Sequence, residues 1–122
     1  MPKITNISIP NAKDSSLILS ASSKKTESGS GEALELGAGL FYCFLNLTAV
    51  TDTDSPTLDA KLEGSDDGEN FETLCDFERI TPQTGLGLYA EAVIGDSKLV
   101  RLSWTIGGTG DFTFESYVRP AR

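Results

Sequence analysis

Apolar and polar residues alternate with a period of two along much of the chain, which is the pattern of half-buried β-strands. The clearest case is Ser55–Phe77, in which residues 58–62 alternate leucine or alanine with charged side chains. Asp66-Asp67-Gly68 follows and predicts a tight turn, because glycine adopts a positive φ at little steric cost. Residues 71–77 alternate again on the return. The segment is therefore predicted to be a β-hairpin.

Further strands are predicted at regular spacing around this hairpin, at residues 17–21, 33–36, 88–94, 98–106 and 112–118. The most apolar run, residues 40–50, is rich in aromatic and β-branched side chains, which predicts a strand buried on much of both sides. The glycine-rich stretch Gly107–Gly110 is predicted to be a hairpin loop. Seven or eight short strands indicate an all-β fold, an antiparallel β-sandwich with either a jelly-roll or an immunoglobulin-like strand order.

The first 25 residues differ from the rest. Residues 1–16 are interpreted as an extended arm, residues 17–21 as a first strand, and the polar residues 22–31 as a flexible linker. The chain is accordingly divided into an N-terminal arm of residues 1–25 and a β-sandwich domain of residues 26–122. A chain of 122 residues is long enough for one hydrophobic core.

Charge is unevenly distributed along the chain. Lys3, Lys13, Lys24 and Lys25 against Asp14 give the arm a balance of +3, which leaves −11 for the remainder of a chain whose total is −8. One explanation is that the acidic body stays soluble through its charge. The alternative is that the basic arm docks on an acidic neighbouring surface. An acidic body is repelled by phosphate backbones, so no nucleic-acid partner is expected.

Several kinds of chemistry lack the residues that they need. The chain contains no histidine, which excludes Ser-His-Asp and Cys-His catalysis and zinc sites built from cysteine and histidine. Cys43 and Cys75 are expected to be buried free thiols, with a disulfide as the alternative in an oxidising compartment. Turn chemistry explains the acidic clusters, with calcium binding as the alternative. We therefore expect no enzyme activity and no cofactor.

Membrane attachment is not expected either. No stretch approaches the roughly 20 apolar residues of a membrane helix. The N-terminus lacks the apolar region of a secretory signal.

The aromatic side chains offer candidate contact surfaces. Trp104 alternates with the apolar residues of its strand, which predicts a place in the core. Tyr42 and Tyr117 alternate outward and are the better candidates for a binding or packing surface. A sugar-stacking platform that also includes Tyr89 and Trp104 is the alternative use of these rings.

A succession of short motifs resembles one family of proteins. The motifs are Thr48-Ala49-Val50, Ser55–Asp59, Ser65–Phe71, Val100–Trp104 and Gly107–Phe114. Over roughly residues 28–118 the chain is similar to small β-sandwich virion proteins of tailed bacteriophages, of the head decoration (cement) type. It differs in having Thr109-Gly110-Asp111 where a T-x-P-S form is common, and in its lysine-bearing arm.

The resemblance implies a non-enzymatic capsid decoration protein, made in the cytoplasm of the bacterial host and bound to the outer capsid surface of the virion. Its expected partners are the major capsid protein and further copies of itself, with a trimer as one arrangement. The alternatives are a tail or head-tail junction component and a carbohydrate-binding module. The partner-binding candidates are Lys3, Ile4, Ile7, Ile9, Lys13, Lys24, Lys25, Tyr42 and Tyr117.

Overall fold

The computed structural model describes residues 17–36 and 39–120. These residues form strands joined by turns and loops, with no helix among them. The strands are β1 (Leu17–Lys25), β2 (Gly29–Ser30), β3 (Leu34–Glu35), β4 (Gly39–Ser65), β5 (Glu72–Asp76), β6 (Gly87–Gly95) and β7 (Leu99–Pro120).

Two strands, β4 and β7, are much longer than the others and pair with each other as an antiparallel ribbon. Phe41 lies opposite Pro120 at one end, and Ser65 lies opposite Leu99 at the other. The register shifts on both sides of Asp54, where the ribbon passes Gly107–Gly110. Such bulges bend a strand pair and increase its twist. The ribbon therefore folds over near its middle, and its two halves lie in different layers.

The shorter strands extend each layer by antiparallel pairing. Layer A has the order β1, C-terminal half of β7, N-terminal half of β4, β6. Layer B has β2 and β3, then the N-terminal half of β7, the C-terminal half of β4, and β5. The chain has eight segments when β2 and β3 count as one and each half of β4 and of β7 counts separately. Numbered along the chain, the segments have the order 1-8-3-6 in layer A and 2-7-4-5 in layer B. This is the order of a jelly roll and not of an immunoglobulin domain.

The inner faces of the two layers pack into one core. Trp104 of layer B meets Phe114 of layer A edge-on, with 5.7 Å between ring centroids. The Trp104 indole Nε1 donates a hydrogen bond to the Glu27 carbonyl oxygen at 3.0 Å, so its polar atom is satisfied. The predicted core position of Trp104 is confirmed.

The hairpin predicted at Ser55–Phe77 is confirmed. The end of β4 pairs with β5, and Gly68 in the turn has a φ of 80°. One register shift beside Leu62 leaves Leu74 as an extra residue, and both Leu74 and Cys75 pack against the core. The core residues of the described chain are Leu19, Phe41, Cys43, Leu45, Leu47, Leu58, Ala60, Leu62, Phe77, Ile80, Val93, Val100, Leu102, Trp104, Phe112, Phe114 and Val118.

The expectation that residues 40–50 are buried on much of both sides is wrong. Phe41, Cys43 and Leu45 point into the core, but Leu40 and Tyr42 are 49% and 43% exposed. The reason is that layer B covers only the inner face of the N-terminal half of β4, which lies in layer A. The apolar residues of the other face remain on the surface.

Two predicted loops are strands. Gly107–Gly110 lies within β7, because its backbone stays paired with β4 through the bend. The polar residues 22–31 do not form a linker, since β1 runs to Lys25 and β2 follows at Gly29–Ser30. The Gly31 amide also donates to the Leu102 carbonyl oxygen at 2.8 Å. Backbone groups find partners along β7 although the side chains of this stretch are polar.

The bend of the ribbon requires glycine at position 108. Gly108 has a φ of +70°, and a Cβ there would lie 2.6 Å from the Ser55 carbonyl oxygen and 2.8 Å from that of Asp54. On the opposite strand Ser55 has a φ of 49°, and its amide donates to Asp52 Oδ1 at 3.1 Å. A side chain at position 108 is therefore excluded both by backbone strain and by the close approach of β4.

We expect Gly108→Ala to lower the free energy of unfolding by about 2–4 kcal/mol, because it adds a steric clash to a left-handed backbone. Gly85→Ala is the matched control, since Gly85 has a φ of +91° with nothing within 4 Å of its Cβ position. The control is expected to cost about 1 kcal/mol. Urea unfolding measures both values, and equal losses would show that the close approach contributes nothing.

Candidate interaction surface

Apolar side chains cover much of the outer face of layer A, and we call this group the apolar face. It arises because the outward residues of segments 40–44 in β4 and 88–94 in β6 are apolar or aromatic. Strands β1 and β7 each contribute one further residue. Its members are Ile18, Leu40, Tyr42, Phe44, Leu88, Ala90, Ala92, Ile94 and Tyr117. Polar residues on the same side include Asn46, Glu115 and Arg119.

The strand register makes the apolar face continuous. Phe44 lies opposite Ala90 on one side and Tyr117 on the other, and Tyr117 lies opposite Ile18. This row crosses all four strands of the layer. Directly opposed residues have Cβ atoms about 4.5–5.5 Å apart, so their side chains touch.

Several members of the apolar face are highly exposed. Ile94 is 84% exposed, Leu88 57% and Ile18 50%. Single exposed apolar residues are common on soluble proteins, but a contiguous group of them marks an interaction site. The apolar face is therefore the candidate functional site of the described chain.

The outer face of layer B has the opposite character. Arg79 and Asp59 form a salt bridge of 2.8 Å, and Glu63 accepts from Arg101 at 2.9 Å and lies 3.5 Å from Lys61. The exposed Arg79–Asp59 pair adds little to stability, whereas Glu63 is nearly buried beside its two partners. Together these charges keep the face hydrophilic. The two outer faces thus differ sharply in polarity although the same two long strands build both.

Three aromatic rings form a row on the apolar face. Phe44 and Tyr117 are stacked with 5.1 Å between their ring centroids, and Tyr42 lies 6.3 Å from Phe44 in a tilted arrangement. The Arg119 guanidinium lies over both Phe44 and Tyr117, at 5.8 and 5.6 Å. The rings pack on one another and present a rigid surface that can be buried at little cost in side-chain entropy.

Of the residues predicted from the sequence to bind partners, the structure places Tyr42 and Tyr117 together on the apolar face. Lys24 and Lys25 lie elsewhere, opposite Thr113 and Phe112 near the other end of β1. The Lys25 Nζ sits over the rings of Trp104 and Phe114, and burial lowers the pKa of this ammonium group. The remaining candidates, Lys3, Ile4, Ile7, Ile9 and Lys13, lie outside the described residues.

Most of the apolar face was not predicted. Sequence reasoning missed Phe44, Leu40, Ile18 and the outward residues of β6. The available signal was that residues 40–45 and 88–94 are apolar at both odd and even positions. Such a strand is either covered on both sides or has an apolar side that a partner covers. The first interpretation is the one given above for residues 40–50, and the structure shows instead that their outer side is uncovered within the described chain.

The acidic turn after β4, the earlier candidate for an ion site, is organised by Asp67. Its Oδ1 accepts from the amides of Glu69 and Asn70, each at 2.8 Å, and from the Ser65 hydroxyl at 2.9 Å. Its Oδ2 accepts from the Asn70 side chain at 2.7 Å. These hydrogen bonds, led by the one from the Asn70 amide, lower the pKa of the carboxyl group. The carboxylate thus closes the turn.

The two cysteines meet across the core as free thiols. Cys43 is buried in layer A, whereas Cys75 on β5 is only half-buried. The neighbouring Cys75 thiol and burial raise the pKa of Cys43. Cys43 is therefore held as a neutral thiol and not as the thiolate that nucleophilic chemistry needs.

Other site types are not visible in residues 17–36 and 39–120. No group of three or more cysteine or acidic side chains is arranged to hold a metal ion there. Within the same residues, no helix has the length and apolar character needed to cross a membrane.

Comparison with known proteins supports the fold. No family model matches the chain, and no curated protein has significant similarity to it in sequence. Among solved structures, the chain is similar to the CBM22-1–GH10 modules of endo-1,4-β-D-xylanase 10B from Clostridium thermocellum, crystallised with xylohexaose. The TM-score is 0.51 at 13% identity, over 89% of this chain and 26% of that one. The chain thus spans about a quarter of that protein and shares an antiparallel β-sandwich fold.

The lowered pKa of Asp67 predicts how the stability of the turn depends on pH. The stabilising effect of the ionised Asp67 carboxylate is complete above the carboxyl pKa in the unfolded chain, about 3.9. It is lost as the pH falls towards the lower pKa that this group has in the folded chain. The unfolding free energy of the native chain should therefore exceed that of Asp67→Asn by a constant amount above about pH 5, and the difference should shrink below about pH 4.

Chemical unfolding at a series of pH values measures this difference. Glu69→Gln is the control, because it removes one charge from the same turn and leaves the hydrogen bonds of Asp67 in place. A difference between native and Asp67→Asn that stays constant down to the lowest pH would contradict the role given to Asp67.

Proposed function

We propose that the protein is a non-enzymatic structural protein of a tailed-phage virion, a capsid decoration protein that binds major capsid subunits through its apolar face. The observation that carries the proposal is the contiguous apolar face beside an ion-paired, hydrophilic face on the other layer. The similarity of the motifs to decoration-type sandwiches, given above, supplies the class of partner. The proposed location is the outer surface of the capsid.

The composition of the apolar face favours a protein partner. Leu40, Leu88 and Ile94 are branched aliphatic side chains, which present only apolar atoms to a ligand. Removing apolar surface from water stabilises a complex by about 25 cal/mol per Å². A flat layer of four strands also matches the broad, closely packed interfaces that proteins form. The buried centre of such an interface would contain the Tyr42, Phe44 and Tyr117 rings, since aromatic residues dominate binding energy.

The basic arm is a second proposed contact. Leu17, the first described residue, begins the outer strand β1 of layer A and pairs with Val118 of β7. The neighbouring pair, Ile18 and Tyr117, belongs to the apolar face. The preceding residues therefore connect to the sandwich at the border of the apolar face. We assign Ile4, Ile7 and Ile9 to pairing along an exposed strand edge of a capsid subunit, with Lys3 and Lys13 attracted by acidic groups.

Repetition around the shell would strengthen such contacts. Many copies on one lattice convert modest individual affinities into a large reinforcement of the head. A tail or head-tail junction component would use the same kind of contact in far fewer copies. Counting copies per virion separates these two locations.

We expect Tyr42→Ala and Ile94→Lys each to weaken binding to expanded heads at least tenfold, which corresponds to about 1.4 kcal/mol. Binding of purified variants to heads stripped of this protein measures the effect. Thr105→Lys is the matched control, because Thr105 is exposed on the outer face of layer B. Variants of the apolar face that bind as tightly as this control would overturn the proposal.

Deletion of residues 1–16 tests the arm separately. The shortened chain should occupy fewer sites, protect heads less against heat, and lose the salt dependence that the lysines give to binding. Unchanged occupancy and head stability would remove the arm from the proposal and leave the apolar face as the contact.

Glycan binding is the second candidate, and the row of Tyr42, Phe44 and Tyr117 is the observation that favours it. Aromatic rings stack on sugar faces, and the xylanase structure with a similar fold was crystallised with xylohexaose. A glycan array decides between the candidates. Binding that is lost in Tyr42→Ala and Tyr117→Ala but retained in Ile94→Lys would favour a glycan over a capsid subunit.

A further inference from the structure

Strand β6 is an open edge of layer A. Its nine residues pair with β4 from Leu47–Gly87 to Gly39–Gly95, and its other edge pairs with no strand of the described residues. Natural edge strands are usually protected by charged side chains, proline or bulges. β6 contains no lysine or proline, its register with β4 is continuous, and its one charged residue is the inward-pointing Glu91. Such an edge can accept another strand through its main chain.

The sequence of β6 is nearly symmetric about its central residue, Glu91. It reads GLYAEAVIG, with alanine on both sides of the glutamate and glycine at both ends. At the outward positions Leu88 corresponds to Ile94, whereas on the inner side Tyr89 corresponds to the smaller Val93. When two identical strands pair antiparallel about a two-fold axis through residue 91, each residue faces its symmetric counterpart. The outward positions of β6 are therefore complementary to their symmetric counterparts.

We infer that β6 pairs with β6 of a second copy of this chain, which joins two A layers into one continuous sheet of eight strands. On the outer side, Leu88 of one copy would contact Ile94 of the other at both ends of the pairing. Ala90 would face Ala92 near the axis, where small side chains allow close approach. The interface is isologous, as is usual for two-fold dimers.

The second copy is the occupant that this pattern selects. A strand of a capsid subunit or of the chain's own arm can also add to an open edge, but neither requires β6 to be symmetric. The self-pairing also brings Leu88 and Ile94, two highly exposed apolar residues at 57% and 84% exposure, into contact with each other across the two copies. The inference stands on the edge and its sequence, and it does not depend on the proposed capsid function.

Glu91 makes the register testable. Its alternation places it on the inner side of β6, away from the apolar face, and the two-fold axis puts the two Glu91 carboxylates opposite each other. Like charges directly opposed across a strand pair are destabilising. Removing this charge should therefore tighten the dimer. Nonspecific association through the apolar face would not respond to the change, because Glu91 points to the other side of the sheet.

Sedimentation velocity of the full chain over a wide concentration range tests the inference. We expect a concentration-dependent species with twice the mass of one chain. Ala92→Lys should weaken dimerisation at least tenfold by placing a charge near the axis, while Thr105→Lys on layer B should leave it unchanged. Glu91→Gln should strengthen it severalfold. Circular dichroism confirms that each variant is folded.

Three results would overturn the inference. They are a chain that stays monomeric or forms trimers, a dimer that Ala92→Lys does not weaken, and a dimer that Glu91→Gln does not strengthen. Dimers that appear only after deletion of residues 1–16 would show that the arm covers the edge in the intact chain, and would also contradict the proposal.

Discussion

The bend of the β4–β7 ribbon is the constraint on which the rest of the molecule depends. A single antiparallel ribbon runs through both layers, and the inner faces meet only because it folds over between Asp52 and Thr57. The close approach of β4 leaves no room for a side chain at Gly108 or at Gly110, where a Cβ would clash with the Thr51 carbonyl oxygen. Hydrogen bonding continues through the bend, so the turn from one layer to the other does not leave a row of unpaired backbone groups. Core burial, the most favourable term in folding, follows from this one geometric step.

The same ribbon explains why the two outer faces differ. The outward residues of β4 are Leu40, Tyr42 and Phe44 before the bend and Asp59, Lys61 and Glu63 after it. The core does not require either set, since it is built from the residues that alternate with them. Packing against layer B therefore does not explain why the outer face of layer A carries apolar residues. Their burial in the proposed assembly would account for them and would link the fold to a function in binding.

Alternation along the chain was sufficient to predict the strands, the Ser55–Phe77 hairpin and the core position of Trp104, because these depend on neighbouring residues. It did not predict the bend. Gly107–Gly110 has the composition of a hairpin loop, and only its pairing with a segment more than 50 positions earlier distinguishes a bent strand from a turn. The apolar face was missed for a similar reason. The pattern of residues 40–50 shows that both sides of the strand are apolar, but whether a second layer or a partner molecule covers each side is decided by the topology. Tyr42 and Tyr117 were placed outward correctly, whereas their contact through Phe44 depends on the register of β4 with β7.

Symmetry connects the open edge to the form of any assembly. A strand that pairs with its own symmetric copy gives an isologous contact, which closes with two copies and leaves neither β6 edge free. A trimer needs a heterologous contact, in which one surface meets a different one, and the symmetric sequence of β6 does not supply that. Pairing through β6 and a trimer built on this edge are therefore mutually exclusive. A two-fold pair would also present both apolar faces on the same side of one eight-stranded sheet. Two such faces bound to one lattice would act as a bivalent ligand, so that the weak contacts of each copy would add in free energy.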